Sequence, residues 1–273
     1  MNLYAHITGQ GPALVILHGL YGCSDNWMSI ARSLAASGHT VCVPDLRNHG
    51  RSPNHPEHSY RVMAADVVAW MEQTGLEQAV ILGHSMGGKV ATWLAAAHPR
   101  KVRALILADI APVGYASLKE YSPHVVEHLN IMTALEALDI ARIHTRQEAE
   151  QALAPQIPDR ATRQFLLKNL QRDAQGTFFW RMNLPVLKQA LPEILGGMDP
   201  LKLGHPNLIE GIPALCIRGE RSSYVGVQEQ IFLQQAIPGI KIVTLTNAGH
   251  WVHAEQPGMF LSAVQNFLKD LDA

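Results

Sequence analysis

One serine in this chain sits where its hydroxyl can be made to react. Gly83-His84-Ser85-Met86-Gly87 is a G-x-S-x-G pentapeptide that follows the apolar run AVIL at 79–82 and precedes a stretch of helix formers. Between a strand and a helix this pattern forces a sharp turn, and its glycines remove the Cβ atoms that would clash there. The hydroxyl is then presented at the C-terminal edge of a sheet, beside the positive end of the following helix. The plainer alternative is a glycine turn whose serine only caps that helix.

A serine hydroxyl is a weak nucleophile at neutral pH and needs a base that is itself oriented by an acid. Of the 14 histidines, His250 in TLTNAGHWVHAEQP follows a strand-like run and precedes the last helical stretch. That is where a doubly wound sheet gathers its catalytic side chains. His253 is a weaker competitor, and His84 lies inside the turn itself. His18 belongs to a second feature, VILHGLYG at 15–22, where an apolar run breaks into a glycine-containing loop. Acyl transfer through a tetrahedral intermediate needs two donors on the developing oxyanion, and backbone N–H groups serve without reorganisation. The expected pair is the N–H of Leu20 and that of Met86, the residue after the serine. A simple strand-end turn is the alternative for this second stretch.

These residues need elements to position them. The runs ALVIL, TVCV, AVIL, ALILA, ALCI and IKIVTL are continuous enough for strands buried on both faces. Helices are expected over 27–37, over 60–74 with Ser59 as N-cap, and over 86–97, so the first part of the chain reads as strand-helix units on a mostly parallel sheet. The alternation stops between about 113 and 210, where several helices and no convincing strand are expected, including TRQEAEQAL with Thr145 and Glu148 at capping-box spacing and DRATRQFLLKNL. LGGMDPLKLGHP marks the expected return to the sheet. Helices near 225–236 and 257–271 then follow the last two strands. The expected division is a doubly wound α/β core over 1–112 and 211–273 with a helical cap, or lid, inserted at 113–210.

Composition narrows the function classes. A chain of 273 residues at 47% hydrophobic can bury one large core with an insertion. Its 22 Lys and Arg balance 23 Asp and Glu, and no basic run suits a nucleic acid or an anionic membrane. No apolar stretch is long enough to span a bilayer, and the N-terminus does not read as a signal peptide. Three cysteines without metal-type spacing, two of them (Cys42 and Cys216) in strand-like runs, point to reduced buried thiols. A cytoplasmic protein is expected.

The order HG, DLRNHGRS, GHSMGG, helical insertion and AGHW resembles the α/β-hydrolase fold superfamily over essentially the whole chain. RNHG at 47–50, GHSMGGK at 83–89, DIAPV at 109–113, NLPVL at 183–187 and AGHWVHAE at 248–255 resemble more narrowly the small YbfF-type esterases, whose relatives include mitochondrial abhydrolase-domain proteins. The resemblance implies a catalytic triad with no metal and no organic cofactor. It also exposes a departure: most of the superfamily carries an Asp in the loop after the strand near 213–218, and here RGERSSYV places Ser222 there. Asp109, at the end of RALILAD, matches the triad acid of the YbfF-type enzymes, and an acid can approach the imidazole from either neighbouring strand end. Glu220 is the second candidate.

The expected activity is hydrolysis of a small-molecule carboxylic ester, or a thioester, of small to medium acyl groups through an acyl-enzyme on Ser85, His250 and Asp109. A carbon–carbon bond hydrolase or an acyltransferase on the same triad is the alternative, and a binding protein that retains the triad stands behind both. Phe165, Leu166, Phe178, Phe179, Trp180 and Leu187 are candidates for an acyl pocket or for plain core. Arg47, His49 and Arg51 read as a tight turn whose arginine braces neighbouring loops.

Overall fold

The computed structural model describes residues 1–115, 123–198 and 208–272. Its strands are β1 (Ala5–Thr8), β2 (Ala13–Leu17), β3 (Thr40–Pro44), β4 (Ala79–His84), β5 (Val102–Ala108), β6 (Leu170–Arg172), β7 (Phe178–Trp180), β8 (Ala214–Gly219) and β9 (Lys241–Leu245). Seven of them form one sheet in the order β1-β3-β2-β4-β5-β8-β9. β1 runs antiparallel to β3, and the other neighbours are parallel. The helices are α1 (Met28–Ala36), α2 (Tyr60–Gln73), α3 (Met86–Ala97), α4 (Pro123–Ala137), α5 (Arg146–Leu153), α6 (Arg160–Leu166), α7 (Leu184–Gln189), α8 (Leu191–Leu195), α9 (Val227–Ala236), α10 (Val252–Glu255) and α11 (Pro257–Asp272). Among the described residues, no helix is long and apolar enough to cross a membrane.

Strand side chains alternate between two cores. Leu14, Ile16, Val80, Leu82 and Ile106 pack with Ile30 and Leu34 of α1 and Phe260 and Val264 of α11. Val15, Leu17, Ile81, Leu105 and Leu107 pack on the other face with Met63 and Val67 of α2 and Val90 and Leu94 of α3. Covering both faces is what requires continuous apolar strands, and each such side chain contributes roughly 1.5–3 kcal/mol by leaving water.

The helices expected over 27–37, 60–74 and 86–97 form within a residue of those limits, and the Ser59 hydroxyl accepts the Val62 N–H at N3 of α2. Two departures follow from short elements. β1 is a four-residue edge strand with no buried position, so it lacks an apolar signature. The stretch expected to hold only helices contains the β6–β7 hairpin, closed by Asp173, whose Oδ1 accepts the N–H of Gln175 and Thr177. Three-residue strands are too short to register as alternation. Thr145 caps α5 as expected, and Glu148 reaches back to accept the His144 N–H at 2.8 Å. DRATRQFLLKNL is α-helical to Leu166 and tightens into a 3-10 turn over Leu167–Asn169, where Asn169 turns back to donate to Leu166 O at 3.2 Å and to Tyr21 O at 2.7 Å. Most of the LGGMDPLKLGHP segment lies outside the described residues.

β5 and β8 are adjacent although helices α4 to α8 and the hairpin separate them in sequence. The chain therefore leaves the sheet at the C-terminal end of β5, beside the end of β4, and re-enters it at the start of the neighbouring parallel strand β8. A buried cation joins the two parts. Lys89 on α3 is 2% exposed. Its Nζ donates to Ile194 O at 3.4 Å and to Gly196 O, at the C-terminal end of α8, and lies 4.8 Å from the Tyr115 ring centre.

Burial pushes the Lys89 ammonium from its ordinary 10.5 down to about 7. Between those values the unfolded chain binds more protons at this site than the folded one, so its contribution to stability rises with pH across that window. In urea denaturation, the stability of the wild type relative to Lys89→Met is expected to increase from pH 7 to pH 10. A flat or falling difference contradicts a buried, depressed ammonium.

Candidate active site

The G-x-S-x-G turn joins β4 to α3. Ser85 has φ 51° and ψ −121°, a left-handed backbone that costs a non-glycine residue on the order of 1–3 kcal/mol. The flanking glycines make the turn possible: a Cβ on Gly83 would lie 2.2 Å from Gly87 O, and one on Gly87 would lie 2.3 Å from Leu17 O. The Ser85 side chain makes no capping hydrogen bond to α3, so the helix does not occupy the hydroxyl.

Asp109 directly follows β5 and is fully buried. Its Oδ2 accepts His250 Nδ1–H at 2.8 Å and the Ser222 hydroxyl, and its Oδ1 accepts the Gly219 N–H at 2.9 Å. Ser222, which stands where the superfamily's usual acid is expected, therefore donates to the carboxylate that holds the imidazole. An ionised carboxylate only accepts, so the His250 proton sits on Nδ1 and Nε2 is left as the basic nitrogen. Glu220 is directed elsewhere: its carboxylate accepts the Asn247 N–H at 2.9 Å.

His250 is also fixed through its backbone. His84 Nε2–H donates to the His250 carbonyl at 3.0 Å. Glu255 accepts the N–H groups of both chain neighbours, Gly249 at 2.8 Å and Trp251 at 3.2 Å. The Tyr224 ring stacks on the imidazole at 3.9 Å between centroids. Burial pushes His84 well below the usual histidine value and His253 down to about 3. His253 is stacked on Trp27 at 3.9 Å, which removes it as a competing base. Glu255 and Tyr224 are absent from the sequence reading. Glu255 has a usable signal, one helical turn beyond His250 at the end of AGHWVHAE; Tyr224 has none.

The loop after β2 is held by His18, whose Nδ1–H donates to Gly19 O at 2.9 Å while its Nε2 accepts the Leu46 N–H at 2.9 Å. Leu20 and Met86 are buried beside Ser85. Among the described residues, neither N–H donates to a backbone carbonyl, so both remain available to an oxyanion. Arg47 donates to Asp66 at 2.6 Å and to Glu57 O at 2.9 Å, and Arg51 pairs with Asp25. Both arginines brace loops, and neither lines the cavity.

Ser85 and His250 open onto one cavity of about 310 Å³. Core loops supply Leu20, Tyr21 and Tyr224, and the inserted segment supplies His128, Ile131, Phe165 and Leu166. His128 bridges the hydroxyls of Tyr224 at 3.2 Å and Tyr21 at 3.3 Å. Of the six acyl-pocket candidates, Phe165 and Leu166 line this cavity. Phe178 and Leu187 are core, Trp180 packs against the core, and Phe179 is exposed.

Residues 12–257 match the α/β-hydrolase fold family. The chain is 36% identical over 261 residues to the sn-1-specific diacylglycerol lipase ABHD11 of Mus musculus, covering 94% of this chain and 81% of that one. It is 35% identical over 257 residues to esterase YbfF of Escherichia coli, covering 94% and 93%. Among solved structures, a marine microorganism esterase superposes with a TM-score of 0.91 at 39% identity, covering 98% and 99%.

The geometry separates the two candidate acids. Asp109→Asn is expected to lower the turnover of an ester substrate by about 10³- to 10⁴-fold, while Glu220→Gln stays within about threefold. The reverse ranking in steady-state kinetics contradicts the assignment.

Proposed function

Because the chain belongs to the α/β-hydrolase fold family, and within it to the YbfF type of ester hydrolase, we propose that Ser85, His250 and Asp109 act as a catalytic triad on carboxylic esters. The observation that carries this reading is the Asp109–His250 hydrogen bond at 2.8 Å, beside a serine on a strained strand-to-helix turn.

Ser85 Oγ attacks the acyl carbon as its proton passes to His250 Nε2. Asp109 holds the imidazole and offsets its positive charge. The tetrahedral oxyanion takes the N–H groups of Leu20 and Met86, each contributing about 3 kcal/mol in the transition state. The ester C–O bond then breaks as His250 returns the proton to the leaving alcohol. Water attacks acyl-Ser85 with its proton going to His250, and collapse returns that proton to Ser85 Oγ and frees the acid. A thioester follows the same steps with a thiol as leaving group.

Residues 113–210 act as a cap over a core formed by 1–112 and 211–273. This reading is supported by the cavity wall, where α4 and α6 of the insertion face the core loops across the serine. A cavity of about 310 Å³ suits small to medium acyl groups, and the small-molecule ester needs neither a metal nor a cofactor to react.

Initial rates on p-nitrophenyl esters from acetate to palmitate test the reading. The wild type is expected to exceed Ser85→Ala by at least about 10³-fold on its best ester. Equal rates in the two proteins would remove Ser85 from the chemistry.

A further inference from the structure

A groove lies beside the catalytic cavity along α4. A second concavity of about 440 Å³ is lined by Pro123, Val126, Asn130, Gln156, Ile157 and Pro158, and it shares Glu127, Ile131 and Thr162 with the cavity at Ser85. The common wall is one stripe of α4: positions 123, 126, 127, 130 and 131 follow the i, i+3, i+4, i+7, i+8 spacing of a single helix face. The opposite wall is the turn before α6 together with the start of that helix.

We propose that this groove is the distal subsite for the substrate, holding the far end of an uncharged acyl chain whose carbonyl lies at Ser85. The inference rests on the reading of Ser85 as the nucleophile of an ester hydrolase and adds the class of acyl group. Adjacency is the first support: Glu127, Ile131 and Thr162 line both cavities, so an acyl chain that passes Ile131 from the serine reaches the groove. The second is the lining. Val126 is 42% exposed, a large apolar side chain left in solvent, while Ile131 and Ile157 are buried at the groove's inner side. Thr162 offers no free donor, since its hydroxyl and its N–H both go to Asp159, at 2.7 and 2.6 Å.

Charge is the third support. Among the described residues, the ionisable groups that line the groove are Glu127 and Asp159. The adjacent Arg163 is turned inward, with Nη1 on Ile157 O at 2.7 Å and Pro158 O at 2.8 Å, and it pairs with Glu150. A terminal carboxylate would meet two acids and, among the described residues, no cation lining the groove, whereas a hydrocarbon tail gains about three- to fourfold in binding for each methylene it buries.

The test compares kcat/KM for p-nitrophenyl acetate, p-nitrophenyl decanoate and the mono-p-nitrophenyl ester of decanedioic acid. The wild type is expected to prefer decanoate to its carboxylate-tipped analogue by at least tenfold. Val126→Trp and Asn130→Trp fill the groove from exposed positions, and Ile131→Trp fills the junction; each is expected to lower the decanoate-to-acetate ratio at least tenfold. Ser85-dependent hydrolysis with that ratio unchanged in all three variants would overturn the tail subsite alone. Absence of Ser85-dependent hydrolysis on every ester would overturn the tail subsite together with the reading beneath it.

Discussion

The hydrogen bond from His250 to Asp109 is the contact on which the rest of the site depends. A fully buried carboxylate is tolerated only when its lone pairs are occupied. Here three donors occupy them: the Gly219 N–H, the Ser222 hydroxyl and His250 Nδ1–H. Those donors come from the end of β8, the loop after it and the loop after β9, so one carboxylate joins three segments at the same edge of the sheet. The backbone beneath is equally shared. Ser85 N–H donates to Ala108 O at 3.2 Å, and Asp109 N–H donates to Ile217 O at 2.8 Å. The serine thus hangs from the last residue of β5, and the acid beside that residue hangs from β8. Both residues have φ 51°, a strain that these sheet-edge bonds hold in place.

This arrangement shows how a carboxylate one strand away from the acid's common position can hold the same imidazole. β5 and β8 are neighbours, so a carboxylate at the end of β5 and one in the loop after β8 approach the same imidazole. With the carboxylate on Asp109, a second acid at position 222 would place two negative charges in one buried site. A serine there instead donates a hydrogen bond and completes the carboxylate's shell. Glu255 contributes from the other side by holding the N–H groups on either side of His250. The imidazole is consequently fixed by its ring, by its own carbonyl and by both neighbouring peptides, with Tyr224 stacked on its face.

Sequence reasoning reaches the parts of this structure that are strongly periodic or chemically unusual. The buried strands from ALVIL to ALCI are legible because both of their faces are covered. The serine turn is legible because only glycine fits at 83 and 87. The edges are less legible: IKIVTL reads as a strand buried on both faces, yet β9, as the terminal strand of the sheet, is largely exposed. The β6–β7 hairpin is invisible because its strands have three residues each. Within the site, Ser85 and His250 announce themselves by spacing, and Asp109 becomes legible through the DIAP match. Tyr224 and the α4 stripe do not, because their relevance comes from segments brought together across the fold. The acyl-pocket candidates show the same limit. FFW at 178–180 is aromatic enough to attract attention, but the hairpin carries it away from the serine, and Ile131 and Thr162 on α4 and α6 take the place beside the cavity.

The most direct test of the account is the crystal structure of the protein after reaction with an alkyl phosphonate that mimics the tetrahedral intermediate. The account predicts phosphorus bonded to Ser85 Oγ and a phosphonyl oxygen about 2.7–3.1 Å from the N–H groups of Leu20 and Met86. It also predicts His250 Nδ1 still on Asp109. Phosphorus on a different residue, an oxygen outside reach of both N–H groups, or an imidazole turned from Asp109 to Glu220 would contradict it.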